Sequence, residues 1–307
     1  MREIAADGFP ADYLLARVRG RRAALVSDWS NLAAGGLPAG ASDEIIWRAL
    51  LTEFEWLYRQ MNRSLRKRFA PVFVLFELKT IVLCVRNKAV QRTAEIERLL
   101  ERSLLSDGLQ QALRETSDVR SAVVAVTEIL AVVAKDLRAL RTAFAEEGLK
   151  GFENGLMRGY LAHAAATRMH PAIRTFFAAF IDLRNLMILY KHLRWEIEDE
   201  AEYIPGGTVE PSRFEQAAAR KEFAGLEALA KVVTGSKHVP AAASEGALET
   251  VLLRRMTQQL QKGGRQSEDV GLILDYVWRS YVQARNLAVL HHAGDLERET
   301  LERELIA

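Results

Sequence analysis

Three stretches of this sequence set an acid or amide, a cation and a hydroxyl or amide within about one turn of an apolar helical pattern. They are FELKTIVLCVRNK from Phe76, FIDLRNLMILYKHLRW from Phe180 and VQARNLAVLHHAG from Val282. Asp182 and Asn185 are i, i+3 neighbours, as are Glu77 and Thr80, so each pair shares a helix face. A carboxylate beside a cation and an amide can act as a general acid or base. The same pair can also hydrogen-bond across to a neighbouring helix, and leaving it buried without a partner would cost on the order of 1–3 kcal/mol. The third copy decides between these readings, because Gln283 stands where the acid should be. Acid–base chemistry does not survive that change, whereas docking does. Glu77, Lys79, Asp182, Arg184, Asn185, Arg285 and Asn286 are therefore read as a structural repeat motif, and no residue is assigned a catalytic role.

Other chemistry finds little support. His192 and Glu196 stand at i, i+4, a spacing that metal ligands use, but no second histidine at that spacing accompanies them, and a surface ion pair is expected. His291 and His292 are adjacent and are expected to point to different sides of their helix. The glycine-rich AAGGLPAGAS (33–42) lacks the Gly-Lys pair that holds phosphates, and neither a GxGxxG turn nor a GxSxG elbow occurs. No cofactor, metal or small-molecule substrate is expected.

The elements that carry these residues are helices. Leu, Ala, Glu and Arg dominate and Pro is scarce at seven residues, a composition of strong helix formers. Leu78, Ile81, Val82 and Val85 follow the i, i+3, i+4, i+7 pattern of one buried face. Leu183, Leu186, Met187 and Tyr190 repeat it, and Ala284, Leu287, Ala288 and His291 do so more weakly. Pro71 and Pro171 are placed in first helical turns, and Ser267 with Glu268 and Asp269 forms an acidic helix start. Loops are expected at 33–42, 204–211, 238–246 and 262–266. No alternating strand pattern persists, so the fold class is all-α.

Lys79 to Arg184 is 105 residues and Arg184 to Arg285 is 101. That period suggests a single 307-residue chain of three similar helical modules, at 1–110, 111–215 and 216–307.

Hydrophobic residues are 49% and charged residues 27% of the chain, enough apolar side chains for a sizeable core. The net charge of +2 is small for a nucleic-acid binder. The one tight basic run, RSLRKR at 63–68, reads as a solvated helix face, and a nucleic-acid role for Arg59 to Arg68 is the less favoured alternative. The single Cys84 allows no intramolecular disulfide, fits a reducing compartment, and reads as a small buried hydrophobe. No apolar run is long enough for a signal peptide or a membrane span.

Read in order, the motifs resemble a known family, the C subunits of the V/A-type rotary ATPases, whose counterpart in the eukaryotic vacuolar enzyme is the d subunit. The likeness rests on DYLLARVRGRRAALV (12–26), on the three repeat helices, and on EYIPGGTVEPSRF (202–214) with the C-terminal VGLILDYVWRSYVQARNLAVLHHAGDLERETLERELI (270–306). Thr80 replaces the usual Asn, Gln283-Ala284 replaces the acid-Leu pair, and 103–151 carries no matching motif. The resemblance implies a funnel of helices with pseudo-threefold symmetry. It implies a non-catalytic central-stalk rotor subunit, peripheral on the cytoplasmic face of the membrane. Its partners would be the proteolipid rotor ring below and the central shaft subunits above, with torque passing between them during proton or sodium transport. Arg17, Arg19 and Arg21 are the candidate shaft or ring contacts. A soluble α-helical scaffold unrelated to rotary ATPases is the alternative reading.

Overall fold

A computed structural model describes residues 1–4, 7–26, 29, 42–197, 201–236, 239, 244–265, 269–292, 301 and 303–306. Most of the expected loop 33–42, residues 198–200 of the acidic run, most of 238–246, and Ser267 and Glu268 of the expected helix start lie outside these. Among the described residues the chain is all-α, as expected. It forms twelve α-helices and a short 3-10 turn, with no strand.

The helices are α1 (Ala11–Ala23), α2 (Asp43–Gln60), α3 (Arg63–Ala89), α4 (Thr93–Glu101), α5 (Asp107–Glu115), α6 (Val119–Val133), the 3-10 turn Lys135–Ala139, α7 (Leu140–Ala166), α8 (Pro171–Arg194), α9 (Pro211–Ala219), α10 (Phe223–Thr234), α11 (Glu245–Arg265) and α12 (Asp269–His292). They group into two compact units. The first holds 1–14 and 47–168, and the second holds 15–46 and 169–307. None of these helices is long and apolar enough to cross a membrane.

In the first unit the core is built on α3. Phe54 and Tyr58 of α2 meet Phe73 edge to face, with ring centroids 5.6 and 5.4 Å apart, a geometry that adds to simple area burial. The start of α3 differs from the expectation at Pro71. Asn62 caps the helix eight residues earlier, its side-chain oxygen accepting from Leu65 N–H at 2.9 Å. Pro71 therefore sits inside the helix, where it forgoes one backbone bond. Fully buried Phe69, Val72 and Phe73 anchor both sides of it, and Tyr160 O–H donates to the Pro71 carbonyl at 2.6 Å.

The basic run at 63–68 is also not uniformly solvated. Arg63, Lys67 and Arg68 are exposed, but Arg66 is buried. Its guanidinium donates to the carbonyls of Tyr58 (3.0 Å), Arg59 (3.1 Å) and Ile4 (3.0 Å). The first two are among the carbonyls that the end of α2 leaves without helical partners.

In the second unit Trp278 is fully buried. It meets Phe176 edge to face at 6.0 Å, and its indole N–H donates to Thr257 Oγ1 at 2.8 Å. The expected loop at 262–266 is instead helical through Arg265. The two glycines there are a contact surface rather than a break. A β-carbon on Gly271 of α12 would lie 2.7 Å from the Gly263 carbonyl oxygen, and one on Gly264 would lie 3.0 Å from the Asp275 β-carbon. The backbones of α11 and α12 thus approach too closely for a side chain at Gly271, and one at Gly264 would have to displace Asp275.

Candidate functional site

The repeat motif is placed by three long helices, and each copy turns its polar pair inward. On α3, Glu77 and Thr80 are buried and Lys79 is exposed. Glu77 accepts from Ser103 Oγ at 2.9 Å on one oxygen and from the Leu104 N–H on the other. Thr80 Oγ1 accepts from the Trp47 indole at 3.3 Å, and Lys79 lays its ammonium 4.4 Å above the same Trp47 ring. Burial holds the Glu77 carboxyl above the usual carboxylate range, against the hydrogen bonds from Leu104, Thr80 and Ser103.

On α8 the same positions do the same work. Asp182 Oδ2 accepts from Thr208 N–H at 3.0 Å and from the Thr208 hydroxyl, and Oδ1 accepts from Val209 N–H at 3.2 Å. Burial raises this carboxyl too, opposed by those bonds. Asn185 exchanges two bonds with one residue: Nδ2 donates to the Ile204 carbonyl and Oδ1 accepts from the Ile204 N–H, both at 2.8 Å. On α12, Asn286 Nδ2 donates to the Ile306 carbonyl at 2.7 Å and Oδ1 accepts from its N–H at 3.1 Å. Gln283, in the acid position, accepts from Val26 N–H at 3.0 Å. Thr80 meets the neighbouring helix α2 through Trp47. The acids and amides of the motif instead hold the backbone of a non-helical segment, whose N–H and C=O groups have no ladder of their own and must find partners when buried.

The central cations differ from one another. Arg285 donates to the Glu304 carbonyl at 3.0 Å and pairs with Glu249 at 3.3 Å. Arg184 is half-buried, and burial lowers its pKa, partly offset by nearby Tyr281 and Glu249. Burial likewise raises the Tyr281 hydroxyl, with Glu249 adding to it. On α1, Leu14, Leu15 and Val18 face inward, Arg19 and Arg21 are exposed, and Arg17 is half-buried. Sequence reasoning missed Arg22, which bridges fully buried Asp275 at 2.7 Å, with Arg279 on the other carboxylate oxygen at 3.1 Å. The signal was present, because Arg22 continues the Leu15–Val18 stripe at i+7 and i+4.

Two histidine readings change. Glu196 lies beyond the end of α8 with φ +49°, so it does not share a helix face with His192. His291 and His292 do not diverge; their rings stand 4.9 Å apart. Cys84 is buried as expected, and burial above all pushes its thiol up to about 12.

Each motif acid and amide is therefore spent on holding the chain's own backbone. Along the sequence, the family model described as ATP synthase (C/AC39) subunit matches residues 16–293. The chain belongs to that family. The match spans most of the chain, including the α1 residues from Ala16 onward and all three repeat helices. It agrees with the resemblance drawn from the motifs and makes this a subunit of the V/A-type ATPase and ATP synthase class. No curated protein sequence matches the chain.

Proposed function

We propose that this C/AC39 chain is a non-catalytic central-stalk rotor subunit. It would sit on the cytoplasmic side of the proteolipid ring, receive the central shaft, and pass torque between them while protons or sodium ions move. The observation that carries this reading is the family match across residues 16–293. The local structure supports it. A torque adaptor must be stiff, and the motif residues pin non-helical segments to long helices by pairs of buried hydrogen bonds.

On this reading the modules 1–110, 111–215 and 216–307 are three copies of one unit set around a pseudo-threefold axis as a funnel. Arg17, Arg19, Arg21 and Arg184 are the cations proposed to meet the shaft or ring. Arg184 is the one of these that lies in the repeat motif.

Affinity purification from mildly solubilised membranes tests the proposal. Ring and shaft subunits are expected to co-purify with the wild-type chain, and Arg184→Glu is expected to reduce shaft recovery while the chain stays folded. Recovery without any rotary-ATPase subunit would overturn the assignment. An Arg184→Glu chain that assembles and supports coupled hydrolysis as wild type does would remove Arg184 from the interface.

A further inference from the structure

The C-terminal end of α12 and the N-terminal end of α2 meet through three side chains that the rotor reading does not use. His292 Nε2 lies 2.8 Å from Asp43 Oδ2. The His291 ring stands beside the His292 ring at 4.9 Å. One donor atom from each of Asp43, His291 and His292 falls within a span of 4.8 Å, and all three residues are exposed.

We propose that Asp43, His291 and His292 form a binding site for a divalent transition-metal ion of the zinc class. Two imidazole nitrogens and one carboxylate oxygen are a ligand set that zinc accepts, at bonds of about 2.0–2.2 Å. Donors around a tetrahedral ion with such bonds stand about 3.4 Å apart. The 2.8 Å pair is already inside that distance, and exposed side chains can rotate to close the remainder. The nitrogen-rich set selects zinc, nickel or copper over magnesium or calcium, which prefer all-oxygen shells. The setting also suits a cation, because His291 and His292 occupy the last turn of α12, the negative end of its dipole. The ion would bolt the first turn of α2 to the last turn of α12, two parts of one compact unit 248 residues apart in sequence. The remaining coordination positions would be open to water or to an external ligand.

The test is titration of the full chain with zinc chloride, after stripping with a chelator and removing it, against a chromophoric zinc indicator. The wild-type chain is expected to bind about one zinc ion and to unfold at a higher temperature when zinc is present, since an ion that binds only the folded state stabilises it. The double variant His291→Ala/His292→Ala and the single variant Asp43→Asn are each expected to lose at least tenfold in affinity and to lose the thermal shift. His192→Ala serves as the control and is expected to bind as wild type does. All of these positions are exposed or half-buried, so far-UV circular dichroism should be unchanged throughout. The site is refuted if zinc shows no saturable one-to-one binding, or if the double variant binds as wild type does. A tenfold loss in the histidine variant but none in Asp43→Asn would remove the carboxylate from the ligand set and overturn the three-ligand site. None of these outcomes depends on assembly with a ring or shaft.

Discussion

Asn286 and Ile306 exchange two hydrogen bonds, one in each direction, at 2.7 and 3.1 Å. Asn185 makes the same exchange with Ile204 at 2.8 and 2.8 Å. The separations along the chain are also alike, 20 and 19 residues. A carboxamide is suited to this, because it presents a donor and an acceptor side by side and so copies the edge of a backbone strand. The two asparagines are 101 residues apart in sequence, and each fastens a non-helical segment that follows its own helix. The repeat is thus one of mechanism as well as of residue type.

Removing either amide should release its segment. Asn185→Ala and Asn286→Ala each delete two buried hydrogen bonds and leave an N–H and a C=O unpaired, a loss of roughly 2–4 kcal/mol. Asn→Asp at the same positions keeps the acceptor for the N–H but turns a second acceptor on the carbonyl, so it should cost at least as much. Urea unfolding gives the stability change. Amide hydrogen exchange at Ile204 or Ile306 tests the mechanism, because protection should fall there first. Loss of stability with both amides still protected would show that the clamps are not what the substitution broke.

The helices were legible in the sequence because their signals are local. The stripe Leu183, Leu186, Met187 and Tyr190 is buried as its spacing predicts, and the pairing of Asp182 with Asn185 announced a need for partners. The identity of those partners was not legible. Nothing in the spacing of Asn185 says that it will hold Ile204 rather than a helix, since that depends on where the chain turns back. Pro71 misled for a related reason. Proline at a first turn and proline inside a helix look alike until Asn62 is recognised as the cap. The KGGR stretch failed as a loop because the reason for Gly264 is a second helix carrying Asp275, whose Gly271 lies against the Gly263 carbonyl, and only the fold brings that helix close.

Gly207 should be the least replaceable residue of the segment that Asp182 holds. A β-carbon there would lie 2.2 Å from Asp182 Oδ1, so Gly207→Ala must push the carboxylate off Thr208 and Val209 or displace the turn. Its neighbour Gly206 has φ +92°, which binds the turn further. The expected cost is on the order of 2–4 kcal/mol, from strain and from buried groups left unpaired. Gly20→Ala on α1 is the matched control. A β-carbon there meets nothing within 4 Å, and an alanine inside a helix gains about 0.5–1 kcal/mol over glycine. Thermal unfolding of the two variants should therefore move in opposite directions. A neutral Gly207→Ala would contradict the close approach.

Glu77 makes the stability depend on pH in a direction opposite to most carboxylates. Burial holds its folded-state pKa above the ordinary value. Below the ordinary value, near 4.3, the folded and unfolded chains both carry the proton and the contribution of this group is fully present. As pH rises from there to the raised folded value, the unfolded chain has lost a proton that the folded chain keeps, and stability falls. Above the folded value the loss is complete and the curve levels. Glu77→Gln keeps an oxygen for the Leu104 N–H and cannot ionise, so its difference from wild type should grow in its own favour across that window. Urea midpoints of both proteins over a pH series supply the measurement. Parallel curves would mean that Glu77 does not carry its proton into the folded state.

Asp275 has no exposed surface, and Arg22 and Arg279 supply its two ion pairs, at 2.7 and 3.1 Å. Either arginine alone can keep the carboxylate compensated, so Arg22→Ala or Arg279→Ala should each cost only about 1–2 kcal/mol. Removing both leaves a buried charge with neither cation, a situation that typically costs about 3–5 kcal/mol. The double variant should therefore lose more than the sum of the singles, and a double-mutant cycle should return a coupling on the order of 1 kcal/mol or more. Adding Asp275→Asn to the double variant should recover part of the loss, because the amide carries no charge to be stranded. Additive single losses, with no recovery from Asp275→Asn, would show that Asp275 is compensated by another route, and that the link from α1 to α12 does not rest on this charge triad.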